Sequence, residues 1–371
     1  MRLQLMVDSG EFMDAARSDI ARAEHRVFVQ ALTFEADAAG RSLADAVLAS
    51  PATDRRIAID TFTRHKISDS WVYSPRYLRD REFRREVHAT RRMVRDFRSA
   101  GVGVRFTNPV GKRLARAAAR NHKKLVLVDG RVAYVGGINF SDHNFAWRDV
   151  MLRMEDDDIV ETLGHDFEAT WGGRNQAFIR DFPGLSLHVF DGCTNARLFE
   201  PLRRLLSEAH TSIDVHCCYL SPPFSGWLRA AQERGVRVRL LLPAANNWAD
   251  VNHHARRVLG RAGVDVRHFA ERMTHLKTMV IDDRALVVGS ANFDFLSYRL
   301  QQEFMAIVTD PEVVRDFRDR VFEPDLLVAR IPIRAWGPRE RFGEARVDFL
   351  AAISGFVGRL AHAPARTAAG A

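Results

Sequence analysis

Two stretches of the chain carry residue types suited to phosphate chemistry, and they repeat one another. The first runs from Asn121-His122-Lys123-Lys124 through Asp129-Gly130 to Gly136-Gly137-Ile138-Asn139. The second runs from Thr274-His275-Leu276-Lys277 through Asp282 to Gly289-Ser290-Ala291-Asn292. Both read His-x-Lys-x4-Asp, then an apolar run, then Gly-[Gly/Ser]-x-Asn. Composition alone gives on the order of 10⁻² such His-x-Lys-x4-Asp matches, so a pair is far outside chance. Of the 55 Lys and Arg only five are lysine, Lys66, Lys112, Lys123, Lys124 and Lys277, and two of the five sit in the His-x-Lys pairs. A chain that uses arginine for generic charge has a specific need for lysine at these places.

Two His-x-Lys pairs facing one another describe a phosphate cradle. The ammonium groups of Lys124 and Lys277 are compact charges for phosphate oxygens, and Asn139 and Asn292 add uncharged donors. Two imidazoles on opposite sides of a phosphorus let one attack in line while the other protonates the leaving oxygen. A covalent phosphohistidine results, which water or an alcohol resolves. Lysine and asparagine supply the charge stabilisation, so no metal or other cofactor is called for. A working imidazole also needs a carboxylate on its other ring nitrogen. Asp149, 27 residues after His122, and Glu303, 28 after His275, form a near-symmetric pair for this task, and spacing does not say which serves which. Asp129 and Asp282 complete the catalytic set of each repeat, although an aspartate before glycine is by itself an ordinary turn residue. Gly137 and Ser290 sit at the strand ends beside the cradle.

The elements that must hold these residues follow from apolar spacing. Phe12, Ala16, Ile20 and Ala23 recur at helical intervals between Asp8 and Ala23; strand-like Arg26 to Leu32, a helix Leu43 to Leu48 and a strand Arg56 to Asp60 follow, an α/β beginning. Lys123 to Val128 reads as a buried strand, Asp129-Gly130 as a hairpin turn and Val132 to Val135 as the return strand, with His122 and Lys124 on one face. After a helix near Ile159 to Trp171 the pattern restarts: helix Ala196 to Ala209, strand Ser212 to Leu220, helix Ser225 to Arg234, strand Val236 to Leu242. The repeated histidines lie 153 positions apart, so the duplication covers most of the chain. Residues 1–185 and 186–330 are the expected domains, and 331–371 an Arg-rich, partly disordered tail.

Composition bounds the rest. With 371 residues, two cores of ordinary size are expected. No long uncharged apolar run appears, and Asp8 and Glu11 interrupt the start too soon for a secretory signal, so neither a membrane span nor export is expected. A net charge of +8 favours an anionic partner, nucleic acid or an acidic membrane surface. Residues 64–98 crowd arginine with aromatics, either a solvated helix or an insertion at the mouth of a site; Lys112 to Arg120 is a further basic stretch. Cys193, Cys217 and Cys218 read as buried reduced thiols. The pair His253-His254 reads as surface or rim, and Asp156-Asp157-Asp158 as a solvated loop, neither with metal-ligand spacing.

The paired His-x-Lys-x4-Asp with Gly-[Gly/Ser]-x-Asn resembles the phospholipase D superfamily over about residues 1 to 330. Phe12 to Gly40, Gly136-Gly137-Ile138-Asn139 and Trp147-Arg148-Asp149 are similar to short bacterial cardiolipin synthases. The resemblance implies two tandem α/β/α sandwich domains with mixed sheets, related by a pseudo-twofold axis, with the active site between them. It implies His122 as nucleophile, His275 as general acid, and transfer of a phosphatidyl group to an alcohol. The expected partner is then an anionic, phosphatidylglycerol-like phospholipid, met by a cytoplasmic protein peripherally bound at the inner membrane; nucleic acid is the alternative substrate. After the second repeat, Asp294, Ser297 and Glu303 match the superfamily pattern, whereas Phe293, Leu296 and Gln301 depart from it, which bears on acceptor choice.

Overall fold

The computed structural model describes residues 1–111, 116–331 and 338–362. Two mixed sheets repeat one order. The first is Arg2–Val7, Val150–Glu155, Val132–Gly136, Leu125–Val128, Arg26–Ala31, Asp54–Asp60 and Gly103–Thr107. The second is Leu185–Val189, Phe304–Val308, Ala285–Gly289, Lys277–Ile281, Ser212–Cys217, Arg237–Pro243 and Asp265–Phe269, with Phe178–Phe182 added at its edge. In each, the last three strands run parallel and the others pair antiparallel. The duplication expected from the repeated motif is thus a duplication of topology. Two differences from the expected organisation concern boundaries. Phe178–Phe182 forms a hairpin with Leu185–Val189, so the second unit begins before residue 186. Arg2–Val7, too short and mixed to announce itself, is an edge strand on Val150–Glu155.

Period-two alternation sorts the strand residues between two layers. Leu125 and Leu127, with Val280, Leu286 and Val288 of the other sheet, enter one shared core between the sheets, filled by Ile159, Leu163 and Phe167 of helix Asp157–Trp171 and by Val313, Phe317 and Phe322. Val126 and Val128 face the outer core of the first unit under helices Asp8–Ala21 and Ala38–Ala49. Met279, Ile281 and Val287 face the equivalent core of the second. Because the inner core belongs to both sheets, hydrophobic burial fixes the halves against each other.

Several expectations are corrected here. Asp156 caps helix Asp157–Trp171 by accepting from the Ile159 amide at 3.2 Å, so the acidic triplet is a helix start, favoured by the positive helix dipole, rather than a loop. Cys217 and Cys218 are buried, but Cys193 is exposed. His254 is buried, 3.3 Å from Asp348. The tail contains the helix Pro338–His362, which packs on helix Ala249–Arg261; Lys112, Arg334 and the terminal stretch from 363 lie outside the described residues. Residues 64–98 form a hairpin (Lys66–Ile67 with Ser70–Trp71) and helices Pro75–Arg79 and Arg81–Ser99, the last burying Phe83, Val87, Met93, Val94 and Phe97.

Candidate active site

His122 and His275 each stand just before a central strand, where the chain leaves its own sheet and pairs with the other half. The His122 amide donates to the Gln302 carbonyl at 2.8 Å, and the Gln302 amide donates to the Arg120 carbonyl at 2.9 Å. On the other side the His275 amide donates to the Arg148 carbonyl at 2.8 Å, and the Arg148 amide to the Met273 carbonyl at 2.9 Å. These two short bridges carry each histidine to the carboxylate of the opposite repeat. Nδ1 of His122 lies 2.9 and 3.0 Å from the two carboxylate oxygens of Glu303 and 3.1 Å from the Ser290 carbonyl oxygen. Nδ1 of His275 lies 2.8 Å from Asp149 Oδ2. With acceptors around Nδ1, the proton sits there, and Nε2 of each ring keeps its lone pair for a substrate. The pairing that spacing left open is therefore crossed: Glu303 serves His122, and Asp149 serves His275.

The carboxylates are themselves held. Ser290 Oγ and Ser297 Oγ donate to Glu303 at 2.5 and 2.8 Å, and the Val150 amide donates to Asp149 at 2.9 Å. A Cβ on Gly137 would stand 2.3 Å from Asp149 Oδ1, so the glycine of the first repeat exists to admit that carboxylate. Lys124 Nζ donates to the carbonyl of His122 at 2.7 Å, and Lys277 Nζ donates to the carbonyl of His275. Each lysine thus sits beneath its own histidine. Cys218, which sequence reasoning left as core, lies 3.5 Å from Lys277 Nζ and donates to Asn292 Oδ1 at 3.3 Å.

Burial governs the protonation states. It lowers His122, against the pull of Glu303, and holds His275 well below the usual imidazole value, with Lys277 and Lys124 adding to the effect. Burial also pushes Lys124 down to about 7 and Asp149 up to about 7. For both imidazoles burial favours the neutral form. A phosphodiester brings a negative charge between the lysines, which favours the protonated forms of lysine and imidazole alike.

His122, His275, Asn139 and Asn292 line one cavity of about 320 Å³ between the halves. The Asn139 side chain donates to Asn144 Oδ1 at 3.3 Å, and its own oxygen is buried without a protein partner. The same cavity is walled by residues that carried no motif signal: Glu35, Lys66 and Asp69 from the first half with Tyr219, Asn247 and Trp248 from the second. Trp147, two residues before Asp149, packs against the His275 ring at 5.1 Å between centroids. Burial pushes the Glu35 carboxyl up to about 8.

Asp129 and Asp282 are not in this group. Each ends the strand that begins near its histidine, seven residues and roughly 20 Å away at strand rise. Asp129, in the left-handed region at φ 53°, accepts from the amides of Glu24, His25 and Arg26 at 3.1, 2.8 and 3.0 Å. Asp282, at φ 51°, accepts from the amides of His210, Thr211 and Ser212 at 3.0, 2.8 and 3.0 Å. Burial opposes their charge, yet these amides hold both carboxyls below the ordinary range. The aspartates clamp the turn to the start of the neighbouring strand. The contacts of Asp129 and Asp282, expected from sequence to belong to the catalytic set, are thus with turn and strand backbone and not with the imidazoles.

The sequence model of the family described as "Cardiolipin synthase, PLD-like domain" matches residues 17–171 and 202–325. Among curated proteins, cardiolipin synthase B of Salmonella typhimurium is 25% identical over 349 residues, covering 86% of this chain and 79% of that protein. The major cardiolipin synthase of Bacillus subtilis is 26% identical over 362 residues, covering 88% and 69%. Among solved structures, phosphatidylserine synthase of Haemophilus influenzae superposes with a TM-score of 0.71 at 14% identity, covering 96% of this chain and 95% of that one. With both halves of the chain matched and both half-sites intact, the protein belongs to the phospholipase D-like cardiolipin synthase family.

Proposed function

We propose that this protein is a phosphatidyltransferase of the cardiolipin synthase type, acting at the surface of a membrane whose anionic phospholipid is its substrate. The observation that carries the reading is the crossed pair of His–carboxylate contacts around one cavity. Nε2 of His122 attacks the phosphorus, and the bond to the leaving headgroup oxygen breaks as His275 gives that oxygen its proton. The phosphatidyl group rests on His122. An acceptor alcohol then yields its proton to His275 and attacks the phosphorus, which restores His122. Lys124, Lys277 and the two asparagines stabilise the charge on the non-bridging oxygens. No helix among the described residues is long and apolar enough to cross a membrane.

The test is to incubate purified protein with vesicles of labelled phosphatidylglycerol, or with single-stranded DNA, in a chelator. The expected result is a bisphosphatidyl product or released phosphatidic acid, with the DNA intact. Cleavage of DNA with the lipid untouched would replace this reading by a phosphodiesterase acting on nucleic acid.

A further inference from the structure

The helix Pro338–His362 has two apolar faces, and only one is covered. Val347 packs with Val251 and Phe295, and Leu350 and Ala351 lie against the same cluster. Polar contacts flank this seam: the ion pairs Glu344–Arg257 at 2.5 Å and Arg346–Asp250, and Asp348 3.3 Å from the His254 imidazole. On the opposite side stand Phe342, Phe349 and Phe356, 70%, 63% and 58% exposed. Seven residues make two helical turns less about 20°, so the three rings form one stripe roughly 21 Å long. It points about 200° away from Val347 at ordinary helical spacing. Ala345 and Ala352, also exposed, fill the stripe between the rings. The chain has 24 phenylalanines, and among the described residues these three alone are exposed.

A second exposed set lies on the insertion. Trp71, Tyr73 and Leu78 are 46%, 77% and 74% exposed, in a segment (64–98) with eleven Lys and Arg against five Asp and Glu. That excess of six is most of the net charge of +8. The active-site cavity is reached by neighbours of both sets. Lys66 and Asp69 of the insertion line it, as does Trp248, which packs in the cluster beneath the helix.

We propose that the phenylalanine stripe of helix Pro338–His362, together with Trp71, Tyr73 and Leu78, is the surface that seats the protein on an anionic phospholipid bilayer. Apolar rings enter the acyl boundary, while the arginines of the insertion meet the headgroups. Tryptophan and tyrosine suit that boundary, having an apolar ring and a polar tip. The seven-residue repeat would also suit a helix of a second copy. Two copies each carrying +8 repel, however, whereas an anionic surface attracts both the charge and the rings. The inference rests on the proposed lipid substrate only for the identity of the surface; the stripe itself stands on exposure and spacing.

The experiment compares the full chain with the F342S/F349S/F356S and F342W/F349W/F356W variants. Each is measured for flotation with phosphatidylglycerol-containing or pure phosphatidylcholine vesicles, for oligomeric state by light scattering, and for cleavage of a water-soluble activated phosphodiester. The expected result is binding to anionic vesicles that falls at least about tenfold in the serine variant and survives in the tryptophan variant, with soluble cleavage unchanged. Stripe-dependent binding without any lipid turnover would still support this surface while removing the proposed function. Equal flotation of the serine variant would overturn the inference. So would a wild-type dimer that the serine substitutions dissolve without altering flotation.

Discussion

At the scale of single residues, one motif hides two kinds of aspartate and glutamate. Glu303 and Asp149 touch the imidazoles, and Asp129 and Asp282 tie turns to neighbouring strands. Glu303→Gln and Asp149→Asn keep shape but lose the charge that fixes the Nδ1 proton. Turnover should fall by roughly 10² to 10⁴-fold with thermal stability near that of the parent. Asp129→Ala and Asp282→Ala should do the reverse, losing about 2 to 4 kcal/mol of stability as three amides lose their acceptor, with turnover per folded molecule retained. Calorimetry beside steady-state kinetics separates the two patterns; equal loss of turnover in all four would refute the division. A pH dependence follows from Lys124, which burial brings down to about 7. Above that value it is neutral and the cradle has one charge fewer. Inhibition by sulfate, whose charge is constant, should therefore weaken as pH rises through 7, approaching a factor of about ten per unit. A flat profile from pH 6 to 9 would contradict it. The scarcity of lysine was legible as a signal, yet it conceals different needs. Lys124 and Lys277 serve the cradle, Lys66 pairs with Asp69 at the cavity wall, and Lys123 forms a buried pair with Asp166 at 2.7 Å.

At the scale of elements, apolar alternation was enough to place the hairpins, because inner and outer cores each take every second residue. What it misplaced was the last turn of each strand and its purpose. Lys123 and Lys124 read as the start of a strand, whereas the strand begins at Leu125 and the histidine segment just before it bonds to Gln302. Such pairing over a separation of 180 residues leaves no local pattern. In the Asp129-Gly130 turn it is Asp129 that takes the left-handed conformation, where its carboxylate accepts from three amides. Gly137 is the element-level device with a sharp consequence. Gly137→Ala would drive a methyl group into the Asp149 carboxylate and move it from His275. A loss of turnover of at least about 100-fold is expected, with fold and soluble oligomeric state kept. An unchanged rate would mean that the His275–Asp149 contact does not matter. The tail was read as Arg-rich and partly disordered; its helix is anchored by a sparse apolar face, two ion pairs and the Asp348–His254 contact, which composition does not display.

At the scale of the whole molecule, the repeated sequence is a repeated sheet order, and the two copies share a core and a cavity. That much could be anticipated from two copies of one motif at equal spacing. The exchange of carboxylates could not, since spacing within each repeat makes the self-pairing equally natural. Crossing has a consequence: each imidazole is oriented only when the halves are in register, so neither half holds a working histidine. Arg148 reinforces the register by pairing with Asp8 at 2.8 Å and Asp325 at 3.0 Å, from opposite halves of the chain. The central claim is that His122 of such a composite site carries the phosphatidyl group while His275 manages protons. It is tested most directly by rapid quench of the parent and His275→Ala proteins with a labelled lipid bearing a p-nitrophenyl headgroup, followed by peptide mapping. Because that headgroup leaves without an acid, the account predicts label on His122 in both proteins, longer-lived in His275→Ala, and none in His122→Ala. Label on His275, or no covalent adduct in any of the three, would contradict it.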